Sequence, residues 1–368
     1  MKDFITTIFP PPILDQECKE CISIYMPTHR TAPDNRQDLI VFKNLVNDLE
    51  EHGDFKKQVA KLKELEKNLD FWMYNLDGLA ILMSEDDMNI YRLPSDVPIH
   101  LAVGKRFYLK PLIRNYQSSY RYYALGLARD SFRLYSGNRF GFREVEIPEE
   151  KRLLKDVIGD QYEEGRINVV SQGGSVGNFH GDGGKSAEIK IDTEKFFYYV
   201  DDFVNTNYSQ KDKLPLILVS LKEHQGLFRA LSKNNYLLEE GVMRSYDSIN
   251  DADLTKYLQE VIEPIYEKNI ADYVKEYNVG INKNTATNTI QTTLEAIVAD
   301  RVRVLVLQAD KQVKGKVDLD NVSFELTDDG EDILNYMAQL AIARGAEVII
   351  LPKDKMPDHL SVFALLRY

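Results

Sequence analysis

The chain has 368 residues, a formal net charge of −12 and 43% hydrophobic residues. This length predicts two or three domains, and the acidic balance argues against indiscriminate coating of nucleic acid. No apolar run approaches the roughly 18 residues needed to cross a bilayer, and residues 1–10 carry no secretory signal pattern. We therefore expect a soluble, cytoplasmic protein that makes no membrane contact.

The N-terminal segment, residues 1–114, is predicted to be an α/β domain. Apolar residues recur at helical spacing between 37 and 74, with a break expected at Gly53. A strand-like run ends at Pro27, because proline cannot donate to a sheet. The expected elements are a strand over 21–26, a helix or helical pair over 37–74, and strands over 79–83 and 89–93.

The only two cysteines, Cys18 and Cys21, form one Cys-x-x-Cys pair just before the first strand. A zinc site needs further ligands at matched spacing, and no second pair exists. A redox dithiol of the thioredoxin type should lie between a strand and a helix, whereas this pair leads directly into a strand. We expect reduced thiols with no catalytic role, because a cytosol keeps thiols reduced.

The middle segment, residues 115–251, alternates strand-like and helix-like patterns, which is typical of a layered α/β fold. Residues 122–135 indicate a β-hairpin with Arg-Asp-Ser near its turn. The continuous apolar run over 214–221 indicates a buried, parallel strand. The other expected elements are a strand over 143–147 and helices over 196–204 and 227–231.

The C-terminal segment, residues 252–368, is predicted to be an α/β/α sandwich. A long amphipathic helix over 254–274 contains Pro264, so a kink is expected there. A capping-box-like pattern at 328–331 predicts the start of a later helix, with Gly345 at its C′ position. The remaining elements are a helix over 285–299 and strands over 301–307, 347–351 and 361–366.

Residues 173–186 are the most distinctive segment, because six of these fourteen residues are glycine in a chain with only 20 glycines. Glycine lets the backbone approach another molecule closely. Long glycine-rich loops between regular elements are often functional. The sequence Gly184-Lys-Ser186 resembles the end of a nucleotide-binding P-loop, but that pattern requires a glycine where Phe179 stands.

Histidine and carboxylate chemistry offers one further candidate in this loop. His180 and Asp182 are close enough in sequence to act as an acid/base pair, although spacing identifies no nucleophile beside them. The six histidines show no metal motif such as His-Glu-x-x-His, and we predict neither a metal nor another cofactor. We expect His29 and His100 to be structural.

Between Lys105 and Arg143 the chain carries nine Lys or Arg residues and one acid, Asp130, with aromatic residues interleaved. One interpretation is a nucleic-acid surface, since basic side chains bind phosphates and exposed rings stack on bases. The alternative is a sheet with an aromatic inner face and a charged outer face, which the predicted hairpin favours. Both can hold, because a sheet can carry a basic outer face.

Several motifs resemble one protein family. Gly183-Gly-Lys-Ser-Ala187, followed by a Phe/Tyr-rich helix, resembles the middle domain of archaeo-eukaryotic class-1 release factors and Pelota-like rescue factors, where a Gly-Gly-Gln loop enters the peptidyl-transferase centre. The terminal Phe363-Ala-Leu-Leu-Arg-Tyr368 resembles a strand of that family's third domain. The bacterial branch of the superfamily is the most similar, in motifs at 24–30, 107–112, 179–182, 215–218 and 237–241.

The resemblance covers nearly the whole chain and implies three domains. These are an N-terminal α/β domain over 1–114, an RNase-H-like release-factor middle domain over 115–251 with its glycine-rich loop at 173–186, and an L7Ae-like domain over 252–368. Two departures bear on function. Lys185 replaces the Gln that orients the hydrolytic water, although a backbone N–H remains that could stabilise an oxyanion. The stop-codon-reading Asn-Ile-Lys-Ser motif is absent.

The resemblance therefore implies a ribosome-associated factor that binds a tRNA-shaped site for rescue, quality control or hibernation. Its expected partners are the ribosome, rRNA and peptidyl-tRNA, with a translational GTPase as a further candidate. Two alternatives stay open: a peptidyl-tRNA or other ester hydrolase that uses the loop, and a nucleotide- or phosphate-binding protein. The catalytic candidates are Gly183, Gly184, Lys185, His180 and Asp182. The predicted RNA-binding residues are Lys105, Arg106, Lys110, Arg114, Arg121, Arg133 and Arg139.

Overall fold

The computed structural model describes residues 2–3, 17–30, 33–85, 87–116, 120–139, 141–158 and 182–368. Contacts divide the chain into two compact units. Unit 1 combines Met1–Tyr120 with Tyr266–Tyr368, and unit 2 is Arg121–Ile265. The predicted α/β class is confirmed. The N-terminal and C-terminal segments group together, while the division into three domains stays a prediction.

The N-terminal segment forms a five-stranded sheet in the order β1-β4-β3-β2-β5, antiparallel except for the β1–β4 pair. Its strands are β1 (Lys2–Asp3), β2 (Glu17–Pro27), β3 (Gly78–Met83), β4 (Met88–Leu93) and β5 (His100–Arg106). Its helices are α1 (Asn35–His52), α2 (Lys56–Lys67), α3 (Leu69–Met73) and α4 (Lys110–Tyr116). The predicted break at Gly53 is confirmed. A second break falls at Asn68, whose side chain accepts a hydrogen bond from the Phe71 N–H at 3.1 Å and so caps α3.

The middle segment forms a sheet in the order β10-β9-β6-β7-β8, in which β10, β9 and β6 are parallel. Its strands are β6 (Tyr122–Leu127), β7 (Phe132–Asn138), β8 (Gly141–Glu144), β9 (Leu216–Val219) and β10 (Leu237–Val242). Its helices are α5 (Leu154–Ile158), α6 (Asp182–Val204) and α7 (Lys222–Leu231). The predicted hairpin is confirmed, and so is the buried parallel strand β9. RNase-H-like topology stays a prediction.

The C-terminal segment begins with the long helix α8 (Asp251–Gly280), which runs through Pro264. Its other helices are α9 (Ile290–Val298) and α10 (Ile333–Ala343). Its strands are β11 (Ala286–Thr287), β12 (Val302–Gln308), β13 (Lys314–Asp318), β14 (Ser323–Leu326), β15 (Glu331–Asp332), β16 (Glu347–Leu351) and β17 (Val362–Leu366). They form two sheets, in the orders β11-β17-β12-β16 and β14-β13-β15.

The predicted α/β/α sandwich is confirmed by how the side chains of β12 alternate. Leu305 and Leu307 pack with α9 and α10, whereas Val304 and Val306 pack with Tyr266 and its neighbours on α8. This period of two is what a strand covered by helices on both faces requires. Likeness to L7Ae stays a prediction.

The expected start of α10 at 328–331 is wrong. Its N-cap is Asp332, whose side chain accepts from the Leu334 N–H at 3.2 Å, and Glu331 belongs to β15. The predicted end is confirmed, because Gly345 has φ +72°, a backbone conformation that L side chains rarely adopt.

The first and last segments of the chain share one core through α10. Phe107 follows β5, and its carbonyl accepts hydrogen bonds from Asn335 Nδ2 at 3.0 Å and Gln339 Nε2 at 2.7 Å. The Leu109 N–H donates to Asn335 Oδ1 at 2.7 Å. Asn335 and Gln339 are both buried, so these bonds replace the water that the irregular backbone would otherwise bind. The joint explains why the two segments form a single unit.

Cys18 and Cys21 are joined by a disulfide, so the expectation of reduced thiols is wrong. The cause is a bulge in β2, where Glu17 pairs with Arg106 but Cys21 pairs with Gly104. Residues three apart in a regular strand lie roughly 10 Å apart. The bulge brings the two Cα atoms to 5.4 Å, which is within disulfide range.

Candidate functional site

The glycine-rich segment reaches the described part of the chain where α6 begins. The structure places the backbone of four catalytic candidates in the first turn of this helix, namely Asp182, Gly183, Gly184 and Lys185. His180 and the rest of the loop lie outside the described residues, as do the side chains of residues 182–189. The sequence predicted this helix only from Phe196, so it begins fourteen residues earlier than expected.

Helix α6 is held by its C-terminal half. Phe196, Phe197 and Val200 are fully buried in the core of unit 2, whereas Lys190 and Ile191 are exposed. At 1.5 Å per residue, the first turn lies about 20 Å along the helix axis from Phe196. The first N–H groups of a helix have no partner within the helix and carry partial positive charge. Because glycine adds no side chain, this end can donate backbone hydrogen bonds to an oxyanion or a phosphate.

Lys110 was predicted to contact RNA, but the structure buries it. Its side chain is 1% exposed, and its Nζ donates to the Lys311 carbonyl at 2.5 Å and to Asp332 Oδ2 at 3.3 Å. Burial lowers the pKa of Lys110, and the charge of Asp332 acts in the opposite direction. An ammonium in this position cannot reach a phosphate outside the fold, so Lys110 is removed from the RNA-binding set.

The other three predicted RNA-binding residues of unit 1 differ in exposure. Lys105 is exposed, whereas Arg106 is half-buried with its guanidinium 4.2 Å from the ring centroid of Tyr336. The backbone N–H groups of Lys105 and Arg106 both donate to Glu331 Oε1, at 2.5 and 3.1 Å. Arg114 is half-buried and lines a cavity. Lys105 is therefore the one of these three whose charge lies at the surface.

In unit 2, Arg139 is committed to a carboxylate. Its Nε and Nη2 donate to the two oxygens of Glu263 at 2.9 and 2.6 Å, and its carbonyl accepts from Gln259 at 2.8 Å. The Arg139 side chain is only 18% exposed. Such a two-point pair fixes geometry, so Arg139 ties the end of β7 to α8.

Arg133 leaves its charge at the surface. Its side chain is 49% exposed, lies 3.5 Å from Glu144 and approaches the ring of Tyr246 at 5.9 Å. Arg121 is half-buried, and its Nε is buried without a hydrogen-bond partner among the residues that the structure describes. Two further exposed arginines of this unit, Arg129 and Arg143, belong to the same basic segment but were not among the predicted RNA-binding residues. Arg129 lies at the hairpin turn and Arg143 on the edge strand β8. Both positions favour exposed side chains, and this could have identified the two residues.

The aromatic residues of this segment belong to the interior. Four of them on β6 and β7 are buried, namely Tyr122, Tyr123, Phe132 and Tyr135. Burial raises the pKa of Tyr135 to about 12. Tyr123 and Phe132 lie in the core of unit 2, as the interpretation of an aromatic inner face predicts, whereas Tyr122 and Tyr135 lie on the opposite face of the sheet, which also carries Arg133. All four rings are buried, so they cannot stack on RNA bases.

His29 is structural, as expected. Its backbone N–H and its Nδ1 both contact the carboxylate of the buried Asp38, at 2.9 and 2.7 Å. The hydrogen bond that His29 makes to the Asp38 carboxylate raises the pKa of His29. The contact joins the end of β2 to α1, and Arg30 adds a two-point pair with Asp77 at 2.7 and 2.8 Å.

Two further properties bear on function. Across the described ranges, no three or more His, Cys, Asp or Glu side chains are grouped to hold a metal ion. No helix in the part of the chain that the structure describes is both long and apolar enough to cross a membrane.

Residues 120–264 match the family model of bacterial archaeo-eukaryotic release factor family 6. The match contains all of unit 2 except its last residue, and with it the glycine-rich segment and α6. It covers less than half of the chain.

Known proteins outside the family model are more distant. No curated protein sequence matches this chain. Archaeal translation termination factor aRF1 is 13% identical over 97% of this chain and 95% of that chain, with a TM-score of 0.28. Dom34 of S. cerevisiae, a translation termination-like factor that interacts with Hbs1, is 12% identical over 79% of this chain and 85% of that chain, with a TM-score of 0.37. At these TM-scores, the two structures add nothing to what the family model says about residues 120–264.

Proposed function

We propose that this chain is a ribosome-associated factor that binds a tRNA-shaped site for rescue, quality control or hibernation, without reading stop codons. One observation carries the proposal: the family match over 120–264 includes Gly183-Gly-Lys185, which opens α6. By the resemblance, this position corresponds to the release-factor loop that enters the peptidyl-transferase centre. The long helix behind it would carry the segment toward the end of a peptidyl-tRNA.

Lys185 supports binding rather than hydrolysis. The water-orienting amide of Gln is absent, and Lys presents a compact, strongly hydrated positive charge. Such a charge pairs with a phosphate of rRNA or of peptidyl-tRNA. In this proposal the Gly-Gly-Lys segment occupies the catalytic centre of the ribosome without activating water. His180 and Asp182 would then help to shape the loop.

The basic contacts in the proposal are restricted to charges at the surface. These are Lys105 in unit 1 and Arg129, Arg133 and Arg143 in unit 2. Each would neutralise an rRNA phosphate and release counterions, which makes binding depend on salt. The C-terminal sandwich would contact the ribosome or a translational GTPase, and the protein would act in the cytoplasm.

Sedimentation of cell lysate on sucrose gradients tests ribosome association. We expect the protein in ribosomal fractions at low salt and its partial release at high salt, because phosphate contacts weaken as salt rises. Lys190→Gln is the matched control for Lys185→Gln, because Lys190 is an exposed lysine on the same helix. A protein found only at the top of the gradient at low salt, in growing and in starved cells, contradicts the proposal.

Peptide release from purified stalled ribosomes separates binding from hydrolysis. We expect no release by the natural chain, because Lys185 supplies no amide to orient water. We also expect Lys185→Gln and Lys185→Ala to weaken ribosome binding and Lys190→Gln to leave it unchanged. Release by the natural chain that is lost in His180→Ala or Lys185→Ala would instead establish the hydrolase alternative. Unchanged ribosome binding by Lys185→Ala would show that the assigned role of Lys185 is wrong.

A further inference from the structure

Unit 1 contains a cavity of about 230 Å³ at the joint between its N-terminal and C-terminal segments. It lies far along the sequence from the glycine-rich segment, and no step of the proposed function uses it. Its wall combines apolar, aromatic and charged side chains. The residues used below are Ile99, His100, Tyr108, Arg114, Asp310 and Gln312.

The aromatic part of the wall is fixed in place. The rings of His100 and Tyr108 lie 4.4 Å apart between centroids, and the Tyr108 N–H donates to Ser23 Oγ at 2.9 Å. Burial lowers the pKa of His100, which keeps this imidazole neutral at pH 7, and raises the pKa of Tyr108 to about 12. The pair therefore offers a neutral aromatic surface. Ile99, which also lines the cavity, is 57% exposed, so a flat ring bound there would cover apolar surface.

Two opposite charges complete the cavity. Arg114 forms no hydrogen bond or ion pair with the residues that the structure describes, and Asp310 is exposed. Lys110 also lines the cavity, but its ammonium is already bound to Lys311 and Asp332. The cavity therefore presents one available cation and one available carboxylate. Gln312 also lines the cavity, and its amide is hydrogen-bonded to the side chain of Tyr108.

A ligand that fits must carry an anionic group for Arg114, a flat ring for the aromatic wall and an N–H donor for Asp310. A nucleotide has all three, in its phosphate, its base and the amino group of adenine, guanine or cytosine. The volume is below the roughly 300–1,000 Å³ typical of pockets for drug-sized ligands, which favours a single nucleotide unit.

We propose that the cavity between β5, α4 and the end of β12 binds one nucleotide whose base carries an amino group. Arg114 holds the phosphate, His100 and Tyr108 contact the base, and Asp310 accepts from the amino group. The nucleotide comes either from the free mononucleotide pool or from single-stranded RNA. The site is distinct from the glycine-rich segment and does not depend on ribosome binding.

Calorimetric titration of the full chain with AMP, GMP, CMP and UMP tests the site in the absence of ribosomes. We expect at least one of the amino-bearing nucleotides to bind about tenfold more tightly than UMP, because uracil can offer the carboxylate only its ring N3–H and has no exocyclic amino group. Removing the phosphate, by using the matching nucleosides, should weaken binding by a similar factor. A single-stranded RNA hexamer distinguishes the two sources. Binding of the hexamer alone assigns the site to RNA, and binding of the mononucleotide assigns it to the free pool.

Matched variants assign the roles. Arg114→Gln should make nucleotide and nucleoside bind equally, and Asp310→Asn should remove the preference over UMP. Ala309→Leu places extra atoms in the cavity wall and should abolish binding. Arg36→Gln, an exposed arginine on α1, is the control and should change nothing. Thermal unfolding of each variant checks that it remains folded.

Three results would overturn the proposal. The first is that neither the mononucleotides nor the RNA hexamer binds at millimolar concentration. The second is that binding survives in folded Ala309→Leu or is insensitive to Arg114→Gln. The third is that tryptophan or tyrosine, which also combine a ring with opposite charges, binds in preference to every nucleotide.

Discussion

Lys110 in unit 1 and Arg133 in unit 2 belong to the same basic segment of the chain, yet their charges serve opposite purposes. Lys110 is 1% exposed and its ammonium is bound to Asp332 and a backbone carbonyl. Arg133 is 49% exposed and keeps its charge at the surface. A run of basic residues in the sequence therefore does not form one basic surface. Whether each charge is buried or exposed depends on where the fold places that residue.

The largest expected effect concerns the buried charge. Lys110→Ala should lower the free energy of unfolding by about 3–5 kcal/mol, because it leaves the carboxylate of Asp332 buried without its partner. Lys105→Ala is the control, since that side chain is exposed and its bond to Glu331 uses the backbone. Urea unfolding of both variants measures the difference. Equal losses would mean that the two lysines do not differ in burial.

The second prediction breaks the packing that covers β6 in unit 2. A Cβ added at Gly126 would lie 2.7 Å from Cγ of Tyr246, so Gly126→Ala should destabilise the protein by about 1–3 kcal/mol. Gly226→Ala is the opposite control, because nothing lies within 4 Å of its Cβ position in α7. That substitution should stabilise the helix by about 0.5–1 kcal/mol. Denaturation midpoints that shift in the same direction would contradict this account.

The third prediction compares the half-buried Tyr108 of unit 1 with the buried Tyr135 of unit 2. Burial raises the pKa of Tyr108 in unit 1 and of Tyr135 in unit 2, each to about 12. An unfolded tyrosine loses its proton near pH 10, so above that pH the unfolded state binds fewer protons than the folded state. Stability should therefore be complete below about pH 10 and fall as the pH rises toward 12.

Thermal unfolding between neutral pH and pH 11 measures this loss. Tyr108→Phe and Tyr135→Phe should each reduce the slope of stability against pH above pH 10, because phenylalanine does not titrate. Tyr198→Phe is the control, since Tyr198 is 50% exposed. If the slope of stability against pH were unchanged in both Tyr108→Phe and Tyr135→Phe, the loss of stability above pH 10 would not come from these tyrosines.

The smallest expected effect concerns the exposed charge. Arg133→Gln should change the free energy of unfolding by less than about 1 kcal/mol, because its pair with Glu144 at 3.5 Å is exposed to solvent and screened by salt. The same urea unfolding that tests Lys110 measures it. A loss as large as that of Lys110→Ala would remove the distinction between the two residues.

Local patterns in the sequence predicted much of the fold. Runs of apolar residues identified the strands that became β3, β4, β12 and β17, and Gly345 marked the end of α10. Strand β5 was missed because its burial pattern mixes half-buried and exposed residues, as an edge strand does. The hairpin of β13 and β14 was also missed, since its residues are mostly polar and exposed.

The candidate site was less predictable, because its properties depend on distant residues. The family motif at 107–112 identified a real structural joint, but only the fold shows that Asn335 and Gln339 satisfy its backbone. Lys110 could not be assigned to the interior without its partner Asp332, which lies 222 positions away. The disulfide likewise depends on a bulge set by pairing with β5 rather than on the Cys-x-x-Cys spacing.

Glu331 covers part of the edge of the N-terminal sheet, where another protein chain could otherwise pair. Strand β5 is the last strand of its sheet, and a carboxylate from β15 occupies the two N–H groups of Lys105 and Arg106 at its end. Unpaired strand margins are the places where other chains add and aggregation begins. Glu331 therefore removes two backbone donors at the end of β5 from the template that another chain could use.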